Sequence, residues 1–111
     1  LDQARILEIL ELGDESLVIE LLTIYIQDSE VSMNEIEQAI SLNNPKMLRE
    51  SSHKLKGSSA NLGVKTIHSI TSQMEQFAKL NDVASASLLL AELKESYRQV
   101  SAYISSTYLT K

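Results

Sequence analysis

The spacing of apolar side chains is the feature that most limits how this sequence can fold. Through most of the chain these side chains recur every three or four residues, which is the period of an α-helix with one buried face. One such stripe consists of Val18, Leu22, Tyr25, Ser29, Met33, Ile36 and Ile40. The three glycines and one proline among 111 residues are too few for the many turns of an all-β fold. The pattern therefore predicts an all-α protein.

Four interruptions divide the helical pattern into five segments. They are Gly13, Asn44-Pro45, Gly63 and Asn81-Asp82, and each is a residue type that is common at helix ends. The segments cover about 2–12, 14–42, 46–62, 64–80 and 83–108. Connections of about two to four residues place consecutive helices antiparallel to one another. We predict an antiparallel four-helix bundle with a short additional N-terminal helix.

The composition excludes several classes of protein. With 15 acidic and 10 basic side chains the formal net charge is −5, whereas a nucleic-acid-binding domain needs clustered Lys and Arg. The absence of cysteine excludes a disulfide scaffold, a thiolate zinc site and a cysteine nucleophile. No apolar run approaches the ~20 residues that span a bilayer. We expect residues 1–111 to form a single domain, and because the first residue is Leu1 we expect it to come from a longer chain.

The outward face of the third segment carries a histidine in unusual surroundings. Helical spacing places Arg49, Lys56, Gly57 and Ala60 around His53. A glycine inside a helix costs about 1 kcal/mol relative to alanine, and on an outward face it leaves room for another molecule's backbone. The two cations would attract an anion such as phosphate and favour the neutral imidazole, which is the nucleophilic form. This face is the candidate functional site.

Glu75 is the predicted partner of this histidine. His53 precedes the turn at Gly63 by ten residues and Glu75 follows it by twelve, so the two lie nearly level on antiparallel helices. A carboxylate there could accept a hydrogen bond from the imidazole Nδ1–H, fix the tautomer and leave Nε2 free to attack. Lys79, one helical turn further, could meet an incoming phosphoryl group or a partner's carboxylate. The alternative is that Glu75 and Lys79 are ordinary solvated charges.

Other interpretations of these residues stay open at this level. An exposed histidine on a helix is commonly a solvated surface residue, and this applies to His53 and more strongly to His68, which lacks a neighbouring helix glycine. Glu50 and His53 have the Glu-x-x-His spacing of di-iron bundles. The second half of such a site is missing, because Lys65 stands three residues before His68. We predict no metal site and no cofactor of the domain's own.

A dozen residues in the third segment resemble the signature of the histidine phosphotransfer (HPt) domain. The family signature reads His-x-Leu-Lys-Gly-Ser-Ser followed by Leu-Gly, and residues 52–63 read Ser-His-Lys-Leu-Lys-Gly-Ser-Ser-Ala-Asn-Leu-Gly. The helix number, loop lengths and total length extend the resemblance to the whole chain. It implies an antiparallel four-helix bundle that relays phosphoryl groups in multistep two-component phosphorelays of bacteria, fungi or plants. Ser52 stands where many members have alanine, which is a mild departure because both residues are small.

By position, the resemblance assigns roles to the candidate residues. His53 matches the phospho-accepting histidine, Lys56 the basic neighbour and Gly57 the small residue that admits the partner. Glu75 matches a position in the fourth helix that is often Gln or Glu, and Lys79 falls where some members carry a basic residue. The resemblance implies a phosphocarrier domain rather than an enzyme, without an ATPase or kinase site of its own.

The function that the resemblance implies is that of a phosphorelay carrier in signal transduction. His53 would accept a phosphoryl group from a receiver-domain aspartate and pass it to another receiver domain, and the receiver would supply Mg²⁺. The expected partners are receiver domains of response regulators or of a hybrid sensor kinase, with no nucleic acid and no membrane contact. We expect a cytoplasmic monomer, either free-standing or as the cytoplasmic part of a membrane-bound sensor kinase.

Two other functions remain open from the sequence. A helical adaptor would bind a partner through an apolar groove without any chemistry, and the second segment favours it because its first half is apolar on nearly all sides. Its apolar residues are Leu17, Val18, Ile19, Leu21, Leu22, Ile24, Tyr25 and Ile26. In the absence of a partner, the short first helix would cover this extra apolar face. The second alternative is a degenerate domain that binds and inhibits a kinase.

Overall fold

The computed structural model describes residues 2–109, and most of them are helical. The helices in this range are α1 (Gln3–Glu11), α2 (Glu15–Ser41), α3 (Pro45–Asn61), α4 (Lys65–Lys79), α5 (Val83–Ser87) and α6 (Leu90–Ile104). A π-helical turn, Ser105–Leu109, follows α6. Residues 2–109 contain no strand. The structure confirms the predicted all-α class and the bundle of long helices with a short helix at its N-terminal end.

The starts of α2 and α3 agree with the sequence because side chains at the predicted boundaries cap them. Asp14 Oδ1 accepts a hydrogen bond from the backbone N–H of Leu17 at 2.9 Å. Asn44 Oδ1 accepts one from the backbone N–H of Met47 at 3.1 Å, and Pro45 occupies the first turn of α3. These caps fix where α2 and α3 begin.

The turn between α3 and α4 depends on a glycine. Gly63 has a φ angle of +66°, in the left-handed region that favours glycine. A side chain at this position would also clash with Asp2, whose backbone N–H donates a hydrogen bond to the Leu62 carbonyl at 2.9 Å. The tight turn therefore sets the register between α3 and α4 and holds the start of the chain against it.

The predicted apolar stripes meet in one core. Its fully buried large side chains are Val18, Leu22, Ile36, Leu48, Leu55, Val64, Ile67, Ile70, Met74, Leu93 and Ile104. Ile6 attaches α1 to this core. Small polar residues fill the contact between α2 and α3, where the Tyr25 hydroxyl lies 2.9 Å from Ser59 Oγ. The side chains of Ile9 and Leu10, two further apolar residues of α1, lie outside the part of the chain that the structure describes.

The fifth predicted segment is not one continuous helix. The chain forms α5, turns at Leu88 and Leu89, and starts again as α6. At the break the backbone N–H groups bond three residues back: Leu88 to Ser85 at 3.2 Å and Leu89 to Ala86 at 3.0 Å. The tighter turn separates the two helices, and both α5 and α6 pack on α2 and α4. The apolar spacing alone does not distinguish this break from a continuous helix.

The short first helix does not cover the extra apolar face of α2. Although α1 contacts α2, Leu17, Leu21 and Ile24 remain 36–44% exposed. The expectation that α1 shields this face is therefore wrong for these three side chains. None of the described helices has the combination of length and hydrophobicity that crossing a lipid bilayer requires.

Candidate functional site

His53 lies on the exposed side of α3, facing the groove between α3 and α4. Its side chain is 69% exposed, and its Nδ1 atom lies 2.6 Å from Oε2 of Glu75 on α4. A carboxylate oxygen only accepts hydrogen bonds, so Nδ1 carries a proton and its N–H donates a hydrogen bond to Glu75. In the neutral ring this tautomer leaves the lone pair on Nε2, at the opposite edge of the imidazole.

Glu75 is a buried carboxylate with a donor at each oxygen. Its side chain is only 3% exposed, and Lys56 Nζ lies 2.6 Å from Oε1, the oxygen that His53 does not use. Burial alone would raise the pKa of Glu75, but the hydrogen bonds and positive charge of Lys56 and His53 outweigh burial and hold the pKa below its ordinary value of 4.5. Glu75 is therefore ionised at neutral pH.

An open groove beside the histidine collects further cations, and we call it the His53 groove. Its volume is about 350 Å³, and it is lined by Arg49, Glu50, His53, Lys56, Glu75 and Lys79. Lys79 Nζ lies 3.9 Å from Glu75 Oε1 and is half exposed. Three cations (Arg49, Lys56 and Lys79) outnumber the two carboxylates (Glu50 and Glu75) in this lining, so the groove is suited to an anion.

Gly57 leaves bare backbone one helical turn after His53. A Cβ atom placed on Gly57 meets no atom within 4 Å, so packing inside the chain does not require a glycine here. Glycine inside a helix is destabilising relative to alanine. Gly57 therefore leaves open space next to His53, although no contact within the protein requires a glycine at this position.

The geometry of this site agrees with a comparison of the chain to protein families. The family model of the Hpt domain matches residues 20–103. The chain belongs to the HPt domain family. HPt domains carry phosphoryl groups in phosphorelays, interact with receiver domains and have no kinase site of their own. The resemblance seen in residues 52–63 is thereby confirmed.

The same fold occurs in a solved structure from Pseudomonas aeruginosa PAO1. The crystal structure of its histidine-containing phosphotransfer protein B matches 100% of this chain and 96% of that chain, with a TM-score of 0.86. The sequence identity is 23%, so this likeness establishes the fold of the HPt domain. A comparison with curated proteins gives no match.

The structure brings together four of the residues singled out from the sequence. His53, Lys56 and Glu75 form one hydrogen-bonded group, and Gly57 lies beside it. The predicted contact between Nδ1 and the Glu75 carboxylate is present. The alternative in which Glu75 is a solvated charge is wrong, because its side chain is buried. Arg49 and Lys79 line the His53 groove.

Sequence reasoning missed the ion pair between Lys56 and Glu75. It assigned Lys56 to an incoming anion and considered only His53 as the partner of the carboxylate. The i, i+3 spacing of His53 and Lys56 was the available signal, because two side chains one turn apart can reach the same group on a neighbouring helix. How deeply Glu75 is buried depends on the packing of α4 against α3, which local spacing does not specify.

His68 occupies different surroundings at the other end of the same two helices. It is exposed and lines a separate groove of about 250 Å³, which we call the His68 groove. The other lining residues are Asp2, Ser59, Ala60, Gly63, Val64 and Lys65. Glu75 is the only buried carboxylate among residues 2–109, so no buried carboxylate lies beside His68. Within the same range no three His, Asp or Glu side chains are grouped as metal ligands.

Proposed function

We propose that His53 is the phosphoacceptor of this HPt domain, taking a phosphoryl group from a receiver-domain aspartate and passing it to another receiver domain. The observation that carries the proposal is the 2.6 Å hydrogen bond between Nδ1 of an exposed imidazole and a buried carboxylate. This bond orients the ring and keeps the lone pair on Nε2, the ring nitrogen directed away from Glu75.

The proposed transfer requires one bond to form and one to break. The Nε2 lone pair attacks the phosphorus atom, and the bond between phosphorus and the aspartyl oxygen of the receiver breaks, so the aspartate leaves as a carboxylate. The imidazole becomes positively charged and retains its Nδ1 proton. Glu75, already ionised, stabilises this charge through the existing hydrogen bond. Transfer to the next receiver is the same reaction in reverse.

The cations at the site have a supporting role in this proposal. Lys56 neutralises Glu75, which would otherwise repel an approaching phosphoryl group. Lys79 and Arg49 attract the anion into the His53 groove. The receiver would supply Mg²⁺ and the acidic pocket around its aspartate, so the HPt domain itself acts as a carrier and as the substrate of its partners.

Label transfer from receiver domains tests the proposal. The wild type, His53→Gln and His68→Gln are each incubated with ³²P-labelled receiver domains encoded in the same genome, and the label is tested for stability in acid and alkali. We expect acid-labile, alkali-stable label in the wild type and in His68→Gln, and none in His53→Gln. Label retained by His53→Gln, or lost only in His68→Gln, would contradict the assignment.

The exposed flank of α2 favours a non-catalytic adaptor as the second candidate. Leu17, Leu21 and Ile24 offer apolar surface to a partner helix without any need for His53. An adaptor would bind its partner equally well as wild type and as His53→Gln, and neither protein would take label. A kinase-binding inhibitor would likewise take no label but would lower the autophosphorylation of a kinase.

A further inference from the structure

The charges of this chain are separated along its sequence. Residues 45–79, which include α3 and α4, carry six basic and two acidic side chains, a net charge of +4. Residues 1–44, which include α2, carry one basic and ten acidic side chains, a net charge of −9. The phosphoacceptor surface is thus basic, while the neighbouring helix is strongly acidic.

A groove between α2 and α3 joins these two regions, and we call it the α2–α3 groove. It has a volume of about 360 Å³ and is lined by Asp28, Val31, Ser32, Glu35, Lys54 and Ser58. Lys54 directly follows His53 in α3, so this groove lies next to the proposed phosphoacceptor on the side away from Glu75. A typical protein interface covers about 800 Å² of each partner, enough to include both His53 and this groove.

The α2 side of the groove has the features of a docking surface. Val31 is 57% exposed, and among residues 2–109 no ion pair involves Asp28 or Glu35. Steps of three and four residues place both carboxylates on the same helical face as exposed apolar side chains. This face consists of Leu17, Leu21, Ile24, Asp28, Val31 and Glu35. Exposed apolar residues flanked by unpaired charges are typical of a protein interface.

Building on the proposed function, we infer that Asp28 and Glu35 determine which receiver domain docks. The partner they fit is a receiver that presents Lys or Arg side chains and a central apolar contact to the α2–α3 groove, next to the acidic pocket that faces His53. A receiver that presents acidic side chains to the α2–α3 groove is repelled by α2, even though its acidic pocket is attracted by the basic α3 and α4. The separation of charge on this chain thereby sets both the orientation and the choice of partner.

Charge also argues against a second copy of this chain as the occupant. Pairing through the same face about a two-fold axis would bring Asp28 and Glu35 against a second acidic α2, with its excess of negative charge. A receiver that presents Lys or Arg side chains to α2 meets no such repulsion.

A charge-reversal pair with a matched control tests the inference. Asp28→Lys/Glu35→Lys is compared with Glu30→Lys/Glu92→Lys, which changes the net charge equally. Glu30 lies on the flank of α2 that faces Tyr97 of α6, and Glu92 lies on α6 itself. The probes are receiver domains of the same genome, phosphorylated with acetyl phosphate, and phosphoramidate serves as a small donor that needs no docking.

We expect Asp28→Lys/Glu35→Lys to slow transfer from the preferred receiver roughly tenfold or more at low salt, with a smaller difference at about 0.5 M KCl. The control pair should stay within about twofold of the wild type. Labelling by phosphoramidate should be the same for all three proteins. If the lysine pair unfolds, Asp28→Asn/Glu35→Gln replaces it, and a smaller loss in the same direction is expected.

Four outcomes would overturn the inference. If Asp28→Lys/Glu35→Lys accepts phosphoryl groups from the receiver at the wild-type rate, the inference fails but His53 remains the phosphoacceptor. An equal loss of rate in the control pair would show a nonspecific effect of charge. Sedimentation of the wild type as a dimer that the lysine pair dissociates would assign the face to a second copy. If neither a receiver nor phosphoramidate labels the wild type, the proposed function itself fails, and this inference fails with it.

Discussion

Two histidines lie on neighbouring helices of this HPt domain, and each lines an open groove of similar size. The His53 groove has a volume of about 350 Å³ and the His68 groove about 250 Å³. Both imidazoles are exposed, and lysines are present at both grooves. The His53 groove alone contains a buried carboxylate, which binds the imidazole and a lysine at once. Exposure and the presence of a lysine therefore do not distinguish the two sites, whereas the buried carboxylate does.

The two grooves also differ in the small residue of α3 that lies at each of them. Gly57 lies next to His53 and leaves open space, whereas Ala60 lies one turn further along α3, at the His68 groove. If the difference between the grooves is functional, equal changes at matched positions should have unequal effects. The predictions below use such pairs.

The largest expected effect follows from filling the space at Gly57. Gly57→Gln should slow transfer from a receiver roughly tenfold or more, because the long side chain obstructs the approach to His53. The same variant should be more stable by about 0.5–1 kcal/mol, because glutamine is the better helix former and a Cβ meets no atom there. Receiver transfer, phosphoramidate labelling and urea unfolding measure the three quantities, and phosphoramidate labelling should be unchanged.

Helical spacing predicts Ala60 on the face around His53, but the structure places it in the lining of the His68 groove, so Ala60→Gln is the matched control for this variant. It adds a similar side chain at the His68 groove, and we expect a much smaller loss of receiver transfer and no gain in stability. A stabilised Gly57→Gln variant with a wild-type receiver rate would show that the glycine does not serve docking.

The second prediction concerns the orientation of the imidazole. Glu75→Ala should slow phosphoryl uptake about tenfold, which corresponds to the lower end of the about 1.5–3 kcal/mol that a hydrogen bond to a charged group contributes. The fold should remain, because Lys56 is partly exposed and its ammonium can turn to water. Glu75→Gln should lose less, because its amide oxygen can still accept from Nδ1–H. Complete loss of labelling in Glu75→Ala, equal to that of His53→Gln, would contradict a positioning role.

The third comparison pairs the lysines of the two grooves. Lys79→Gln should slow transfer from a receiver by roughly threefold, because it removes a partly exposed cation 3.9 Å from Glu75. Lys65→Gln, at the His68 groove, should leave the rate within experimental error. The rates are best measured at low ionic strength, where surface charges are least screened. Equal effects at the two positions would mean that the lysines contribute only to overall charge.

The smallest expected effect is on stability in acid. The pKa of Glu75 in the native state lies below the ordinary value of 4.5, so the unfolded chain binds its proton first as the pH falls. The contribution of Glu75 to stability is therefore complete above about pH 4.5 and is lost as the pH falls through the native pKa. Urea unfolding of wild type and Glu75→Gln should converge on acidification, and a constant difference between pH 7 and pH 3 would contradict the ionised, paired state.

Much of the fold was predictable because it depends on local rules. Asp14, Asn44 and Gly63 fix helix ends through caps and a positive φ angle, and the apolar stripes identify the buried faces. The break at Leu88 and Leu89 was not predictable, because the apolar period continues across it. The exposure of Leu17, Leu21 and Ile24 likewise depends on where α1 is held.

The candidate site likewise has features that follow from local rules and features that depend on packing. The residue pattern alone predicts that His53 is exposed on a helix with Gly57 beside it, and counting residues from Gly63 places Glu75 level with it, because helical rise is constant. The burial of the Glu75 carboxylate, and its pairing with both Lys56 and His53, became visible only from the packing of α4 against α3. Burial and pairing depend on how closely and at what rotation two helices pack, and this is a property of the whole core rather than of the residues that meet.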